Sequence, residues 1–161
     1  MLTKVRSGCQ TGADVSGLVT AKMFGLETGG QMPKGFLTTA GPKPEWAKKY
    51  NLQESSSSKY PPRTFANVKD SDGTIRFAFN FNSPGEKLTL KAIEQYGKPH
   101  IDVDLNNPRP VEEVTEWIKD NNINDLNVAG NSEKTNPQTY NKTTNYLTLV
   151  FKGLGLEQLP E

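Results

Sequence analysis

The chain opens on a short apolar run, Leu2 to Val5, crosses a polar, glycine-bearing stretch from Ser7 to Asp14, and resumes apolar positions in Val15 to Phe24, which the pattern predicts as a helix. Gly25 to Gly30 breaks that pattern. Gln31 to Pro62 is polar and rich in Gly, Pro and Lys, and is expected to be one long irregular connection, with the Ser55 to Ser58 run as a loop inside it. Thr64 to Lys69 reads as a short helix. Gly73 to Phe81 has the β-branched and aromatic content of a buried strand, and Asp70 to Gly73 is the turn between the two. From there the alternation is regular: helix Glu86 to Tyr96, strand His100 to Leu105, helix Val111 to Asn121, strand Leu126 to Val128, and a last helix Thr139 to Phe151.

Strands alternating with helices of this length imply right-handed crossovers and an α/β fold with a mostly parallel sheet covered on both faces. Open sheets of that kind bind ligands outside the carboxyl ends of their strands. The loops leaving those ends are Ser7 to Asp14, Asn80 to Glu86, Leu105 to Pro110 and Ala129 to Thr135. At 161 residues the chain fits one domain, taken as 1–152 with a tail at 153–161, and is long enough to bury a core without disulfides. The balance of 19 basic and 18 acidic residues leaves a net charge of +1, so no global field favours nucleic acid or an anionic membrane and any anion site is local. The single Cys9, the absence of an apolar run of about 20 residues and the lack of a signal-like start lead to the expectation of a cytoplasmic protein.

The stretch Ser7 to Asp14 carries the first chemical signal. A strand, a tight turn with two glycines, and a helix start leave backbone N–H groups and the positive end of the helix dipole facing an incoming anion. The spacing is neither G-x-G-x-x-G nor the P-loop, so a structural turn remains open beside phosphate binding.

Five ordered motifs narrow the reading: GCQTGAD at Gly8 to Asp14, GGQMPKG at Gly29 to Gly35, the run from Tyr60 to Gly73, KPHIDVDL at Lys98 to Leu105 and LNVAG at Leu126 to Gly130. Together, over roughly residues 4–150, they resemble the circularly permuted YpsA-like proteins, a group labelled molybdenum carriers, within the SLOG superfamily that also holds the Lonely Guy phosphoribohydrolases. The resemblance implies a Rossmann-like three-layer sandwich and a nucleotide or other phosphorylated ligand at the strand ends. It also implies self-association as a homo-dimer or higher homo-oligomer.

Carried over residue by residue, the resemblance assigns phosphate or ligand binding to Gly8, Gln10, Thr11 and Gly12, with Asp14 either binding a ligand hydroxyl or serving the helix dipole. Lys34 would complete the anion site, and Arg63 and Asn67, four residues apart on a predicted helix, would share a face, with Asn67 tying down a loop as the competing role. Ser83, Gly85 and Thr89 fall on the second glycine-bearing loop, and Gly130 and Asn131 on the last. That second loop departs from the phosphoribohydrolase pattern: Glu86 and Leu88 replace glycines, and Ala92 stands where the acid-base Glu belongs. No catalytic residue is assigned on that account, since acid-base work needs a titratable group in reach of the bond.

Cys9 and His100 are read as structural, Trp117 as core, and Trp46 as a candidate stacking surface. Asp70 and Asp72 form a turn, and no metal site is expected. The expected function is binding of a nucleotide-like phosphorylated small molecule, as a nucleotide-signal sensor or sponge or as a molybdenum cofactor carrier, with no nucleic acid or membrane partner. The alternative is an enzyme cleaving an N-glycosidic or phosphoester bond with Asp14, Glu86 or Glu133.

Overall fold

The computed structural model describes residues 1–160. In chain order its elements are β1 (Lys4–Arg6), α1 (Ala13–Met23), β2 (Glu27–Gly29), β3 (Gln31–Met32), β4 (Leu37–Thr38), β5 (Gly41–Pro42), α2 (Pro44–Tyr50) and β6 (Gln53–Glu54). There follow α3 (Tyr60–Asp70), β7 (Gly73–Ala78), α4 (Pro84–Tyr96), β8 (His100–Asp104), α5 (Val111–Asp120), β9 (Asp125–Gly130) and α6 (Thr139–Gly153).

Five strands form one sheet in the order β2-β1-β9-β7-β8, and every pairing within it is parallel. The chain leaves β1 leftward to β2 through α1, and leaves β7 rightward to β8 through α4. Right-handed crossovers put those two helices on opposite faces. One face carries α1, α5 and α6, whose Ala21, Val114, Ile118, Leu147 and Phe151, with Phe24 just beyond α1, pack on Val5, Ile75, Phe77, Val103, Leu126 and Val128. At roughly 1.5–3 kcal/mol for each large apolar side chain, this layer supplies most of the driving force for folding. The fold has the parallel α/β sheet expected from the alternation and is the Rossmann-like sandwich that the resemblance implies.

The other face is different in kind. Side chains alternate across a strand, so the residues between those core positions, Arg6, Thr74, Arg76, Asp102 and Asn127, all turn toward α3 and α4. A parallel sheet covered by helices ordinarily presents apolar residues on both faces. Here Arg76 is 4% exposed and donates in bidentate fashion to Asp102, at 2.7 and 2.6 Å. The apolar contact on this side is confined to Val68, Ala92 and Ile93 with Phe65 and Tyr96 around them, at the far end of α3 and α4. The near ends of those helices enclose polar space instead.

The structure corrects several sequence expectations. The break at Gly25 to Gly30 contains β2, a three-residue strand at the sheet edge, too short and too exposed at Glu27 to leave a periodic signal. Gln31 to Pro62 is not irregular throughout: it holds four two-residue strands and α2, whose Ala47 and Tyr50 pack with Met32, Leu18 and Cys9. Helix α3 begins at Tyr60, because Pro61 and Pro62 occupy first-turn positions where a missing N–H costs nothing. Strand β7 ends at Ala78, short of Phe81. His100 starts β8 as expected, but on the edge strand and exposed. Beyond α6, Leu154 and Leu156 pack against the main core and the Leu159 N–H donates to Met23 O at 2.8 Å.

Candidate functional site

The carboxyl ends of β1, β9 and β7 meet where the connections diverge to the two sides of the sheet, the position at which open α/β sheets hold ligands. A cavity of ≈ 110 Å³ opens there on the polar face. Asn127, Val128, Ala129 and Gly130 of β9 form its floor, Gly8, Gln10 and Asp14 one wall, Gly85, Glu86, Leu88 and Thr89 of α4 another, and Tyr60, Arg63, Thr64 and Asn67 of α3 the third. A larger apolar groove of ≈ 260 Å³, between Leu2, Ile118, Ile123 and Leu156, lies at the opposite, amino ends of the strands.

The loop after β1 is folded inward on itself. Cys9 N–H donates to Ser7 Oγ at 3.0 Å, Gln10 N–H to Asp14 Oδ2 at 3.4 Å, and Ala13 N–H to Asn131 O at 3.1 Å. Those three amides are already engaged, so the loop does not present the open fan of donors that a phosphate loop would. Gly12 owes its identity to packing: its φ is +85°, and a Cβ there would stand 2.4 Å from Asn131 O. Gly130 is held likewise, with φ +154° and a hypothetical Cβ 1.9 Å from Phe77 O.

In place of amides, the site presents Arg63. Its Nη1 donates to Asp14 Oδ2 at 3.3 Å, its guanidinium lies 5.2 Å from the Tyr60 ring centroid, and its Nε is buried with no partner. Gly8 makes room for it, since a Cβ at Gly8 would fall 1.6 Å from Arg63 Nη1. Asp14, 5% exposed at the start of α1, has its carboxyl pushed up to about 6 by burial, with Arg63 and the Gln10 amide pulling the other way.

Glu86 stands on α4, capped by Ser83, whose Oγ accepts the Glu86 N–H at 3.4 Å. The i, i+3 spacing to Thr89 and on to Ala92 turns all three inward. The Glu86 side chain is 3% exposed, and its Oε1 has no partner. Burial, and secondarily the like charge of Asp14, push its carboxyl up to about 7 against the pull of Arg76 and the Asn131 amide. Gln10 completes the set: Nε2 donates to Leu37 O at 2.8 Å, which fixes the other end, Oε1, as the acceptor, buried and unpartnered.

Of the sequence candidates, the structure brings Gly8, Gln10, Asp14, Arg63, Asn67, Gly85, Thr89 and Gly130 to this cavity, with Arg63 and Asn67 on one face of α3. Asn67 also bonds both backbone groups of Gln31, at 2.9 and 3.2 Å, and so ties β3 down. Thr11 lies outside the lining and bonds Thr39 Oγ1 at 2.6 Å. Lys34 is exposed, with its N–H on Ser57 O at 2.8 Å, and Ser83 serves as the α4 cap. Asn131 is a buried staple whose Oδ1 accepts the N–H groups of Phe79 and Asn80 at 2.8 and 3.1 Å. Glu133 caps α6, accepting the N–H groups of Gln138 and Tyr140 at 2.8 and 2.7 Å. Trp46, a residue of α2, packs against the cluster of Leu18, Met32 and Ala47 with Lys43 Nζ over its ring and does not line the cavity. Cys9 is fully buried, and burial pushes its thiol far up, which leaves it inert as a nucleophile.

Sequence reasoning missed Tyr60, Thr64, Asn127 and the Arg76 beneath them. The interruption of an apolar strand by Arg76, between Ile75 and Phe77, was the one signal available for the last. Among the described residues no helix is long and apolar enough to cross a membrane, and no group of three or more His, Cys, Asp and Glu side chains is placed to hold a metal ion.

Residues 5–151 match the circularly permutated YpsA SLOG family. The 1.45 Å crystal structure of "Putative molybdenum carrier protein" from Syntrophus aciditrophicus SB is similar over 92% of this chain and 94% of that one, at 37% identity and a TM-score of 0.85. No curated protein gives a significant match.

Proposed function

The chain belongs to the circularly permutated YpsA SLOG family, and from that premise we propose that it binds a nucleotide-like phosphorylated small molecule at the carboxyl ends of β1, β9 and β7. One observation carries the reading: a largely enclosed cationic side chain, Arg63, 13% exposed and paired with Asp14, in the wall of a cavity in the position where such sheets take ligands. Guanidinium geometry suits a phosphate, and the Tyr60 ring beside it, 41% exposed, offers a face for a base. The amino end of α4 reaches the same cavity at Gly85 and adds its dipole to the attraction for an anion. As a carrier in the sense of its structural relative, the protein would take molybdenum within a phosphorylated pterin as cargo.

Isothermal titration against nucleoside monophosphates, ADP-ribose, cyclic nucleotides and a pterin phosphate tests this. Binding of at least one class, weakened tenfold or more in Arg63→Ala, is the expected result. Failure of every probe to bind, with nothing phosphorylated in the mass spectrum of what co-purifies, overturns it.

A second reading, cleavage of an N-glycosidic or phosphoester bond, is favoured by Glu86 and Asp14, whose carboxyls are pushed up to about 7 and about 6 in one cleft and so have the protonation behaviour general acid-base work needs. The remaining acid considered for that role, Glu133, is committed to the α6 cap. Liquid chromatography of a nucleotide panel after long incubation decides it, and no product removes it.

A further inference from the structure

The charged side chains around this cavity do not cancel. Four of them form two ion pairs: Arg63 Nη1 with Asp14 Oδ2 at 3.3 Å, and Arg76 Nη2 with Asp102 Oδ2 at 2.6 Å. Glu86, the fifth, has no cation of its own. Arg76 reaches α4 through Nη1, which donates to the backbone oxygen of Glu86 at 3.0 Å and not to its carboxyl. Facing that carboxyl are Asp14 from α1, Arg76 from β7, Asp102 from β8 and the Asn131 amide after β9, while Arg63 lines the same cavity from α3. On its own helix the adjacent charge, Lys87, is exposed. With every group ionised the cluster carries one net negative charge, and the carboxylate that holds it is buried away from water.

An anion bound against Arg63 makes that arrangement costlier in two ways. It competes with Asp14 for the guanidinium, and it adds negative charge near a carboxylate that water does not screen. At an effective dielectric constant of about 20, a unit charge about 10 Å away shifts an ionisation by more than tenfold. Both carboxyls already hold their protons more tightly than free acids do, Glu86 up to about 7 and Asp14 up to about 6, with burial the largest cause of each. One further negative charge carries Glu86, the higher of the two, past neutrality.

Resting on the reading that a phosphorylated ligand binds at Arg63, we propose that the site takes its anion together with a proton, which the Glu86 carboxylate accepts from solvent as the ligand enters and returns on release. Ligand capture is thereby tuned to pH. Below about pH 6 Glu86 is protonated with or without ligand, and affinity does not depend on pH. Between about pH 7 and about pH 9 the free protein has lost a proton that the complex retains, so affinity falls as pH rises, by at most about tenfold per unit.

Isothermal titration with ADP-ribose and with cyclic AMP tests this, because neither probe changes its own charge over that range. Repeating each titration at about pH 7.5 in buffers of different ionisation enthalpy counts the protons, and wild type should take up about half a proton per ligand. In Glu86→Gln that uptake should fall by more than half. The variant should match wild type at about pH 6 and bind about tenfold more tightly at about pH 8.5, a gain that a misfolded chain would not give. Zero uptake by wild type, undiminished uptake in Glu86→Gln, or Glu86→Gln binding no tighter than wild type at about pH 8.5 each overturns the proton coupling and leaves anion binding intact. No binding of any phosphorylated probe overturns the reading beneath it as well.

Discussion

Replacing Glu86 by Gln should stabilise this protein at neutral and alkaline pH, although the residue is buried and caps no core. Burial, reinforced by the like charge of Asp14 and only partly offset by Arg76 and the Asn131 amide, pushes the Glu86 carboxyl up to about 7 from its ordinary 4.5. Asp102 adds a further, smaller push in the same direction. Between those two values the folded chain binds more protons than the unfolded one, so stability falls as pH rises through the window. Below about pH 4.5 both states are protonated and nothing is lost. Above about pH 7 both are ionised and the loss is complete, at about 3 kcal/mol from the size of the displacement. Glutamine keeps the shape and has no proton to lose. Urea unfolding of both proteins, at steps from about pH 4 to about pH 8, isolates the effect, because Asp14 and all other groups titrate in each. The stability difference should widen in favour of Glu86→Gln by about 3 kcal/mol across the series, with any change in hydrogen bonding appearing as a constant offset. A difference that stays flat to within about 0.5 kcal/mol would refute the claim that Glu86 sits desolvated against Asp14.

Three further outcomes are expected. Gly8→Ala drives a Cβ into Arg63 Nη1 and should weaken binding of the phosphorylated probe about tenfold, with under about 1 kcal/mol of lost stability, since the tip of a flexible side chain can yield; titration and a thermal melt check both. Asp102→Ala strands the buried Arg76 guanidinium and should cost roughly 2–3 kcal/mol, below the figure for fully buried pairs because the Asp102 side chain is 32% exposed; the thermal midpoint should drop by roughly 4–12 °C. Glu133→Ala removes the acceptor for two N–H groups at the start of α6 and should lower stability by about 1 kcal/mol without altering nucleotide turnover, whereas a change in turnover would return Glu133 to the site.

The alternation of apolar strands with amphipathic helices determined the parallel α/β sheet, because burying one face of each element admits few arrangements. The order of motifs likewise put the loops after Arg6, Ala78 and Gly130 at one end of that sheet. The glycines were legible as required positions, yet their reason was not: Gly12 and Gly130 answer to backbone carbonyls that lie far off in sequence, and only packing brings those carbonyls near. The short strands and α2 within 31–54 left little trace, since two-residue ladders carry no period and α2 is held by contacts with Leu18 and Met32 rather than by its own pattern. The balance of charge in the site belonged to tertiary structure alone. Asp14, Arg63 and Glu86 are each unremarkable on a sequence line; pairing the first two and burying the third near them turns the expected cradle of amides into a desolvated cluster of charged side chains. Desolvation is a property of what surrounds a group, and no local spacing encodes it.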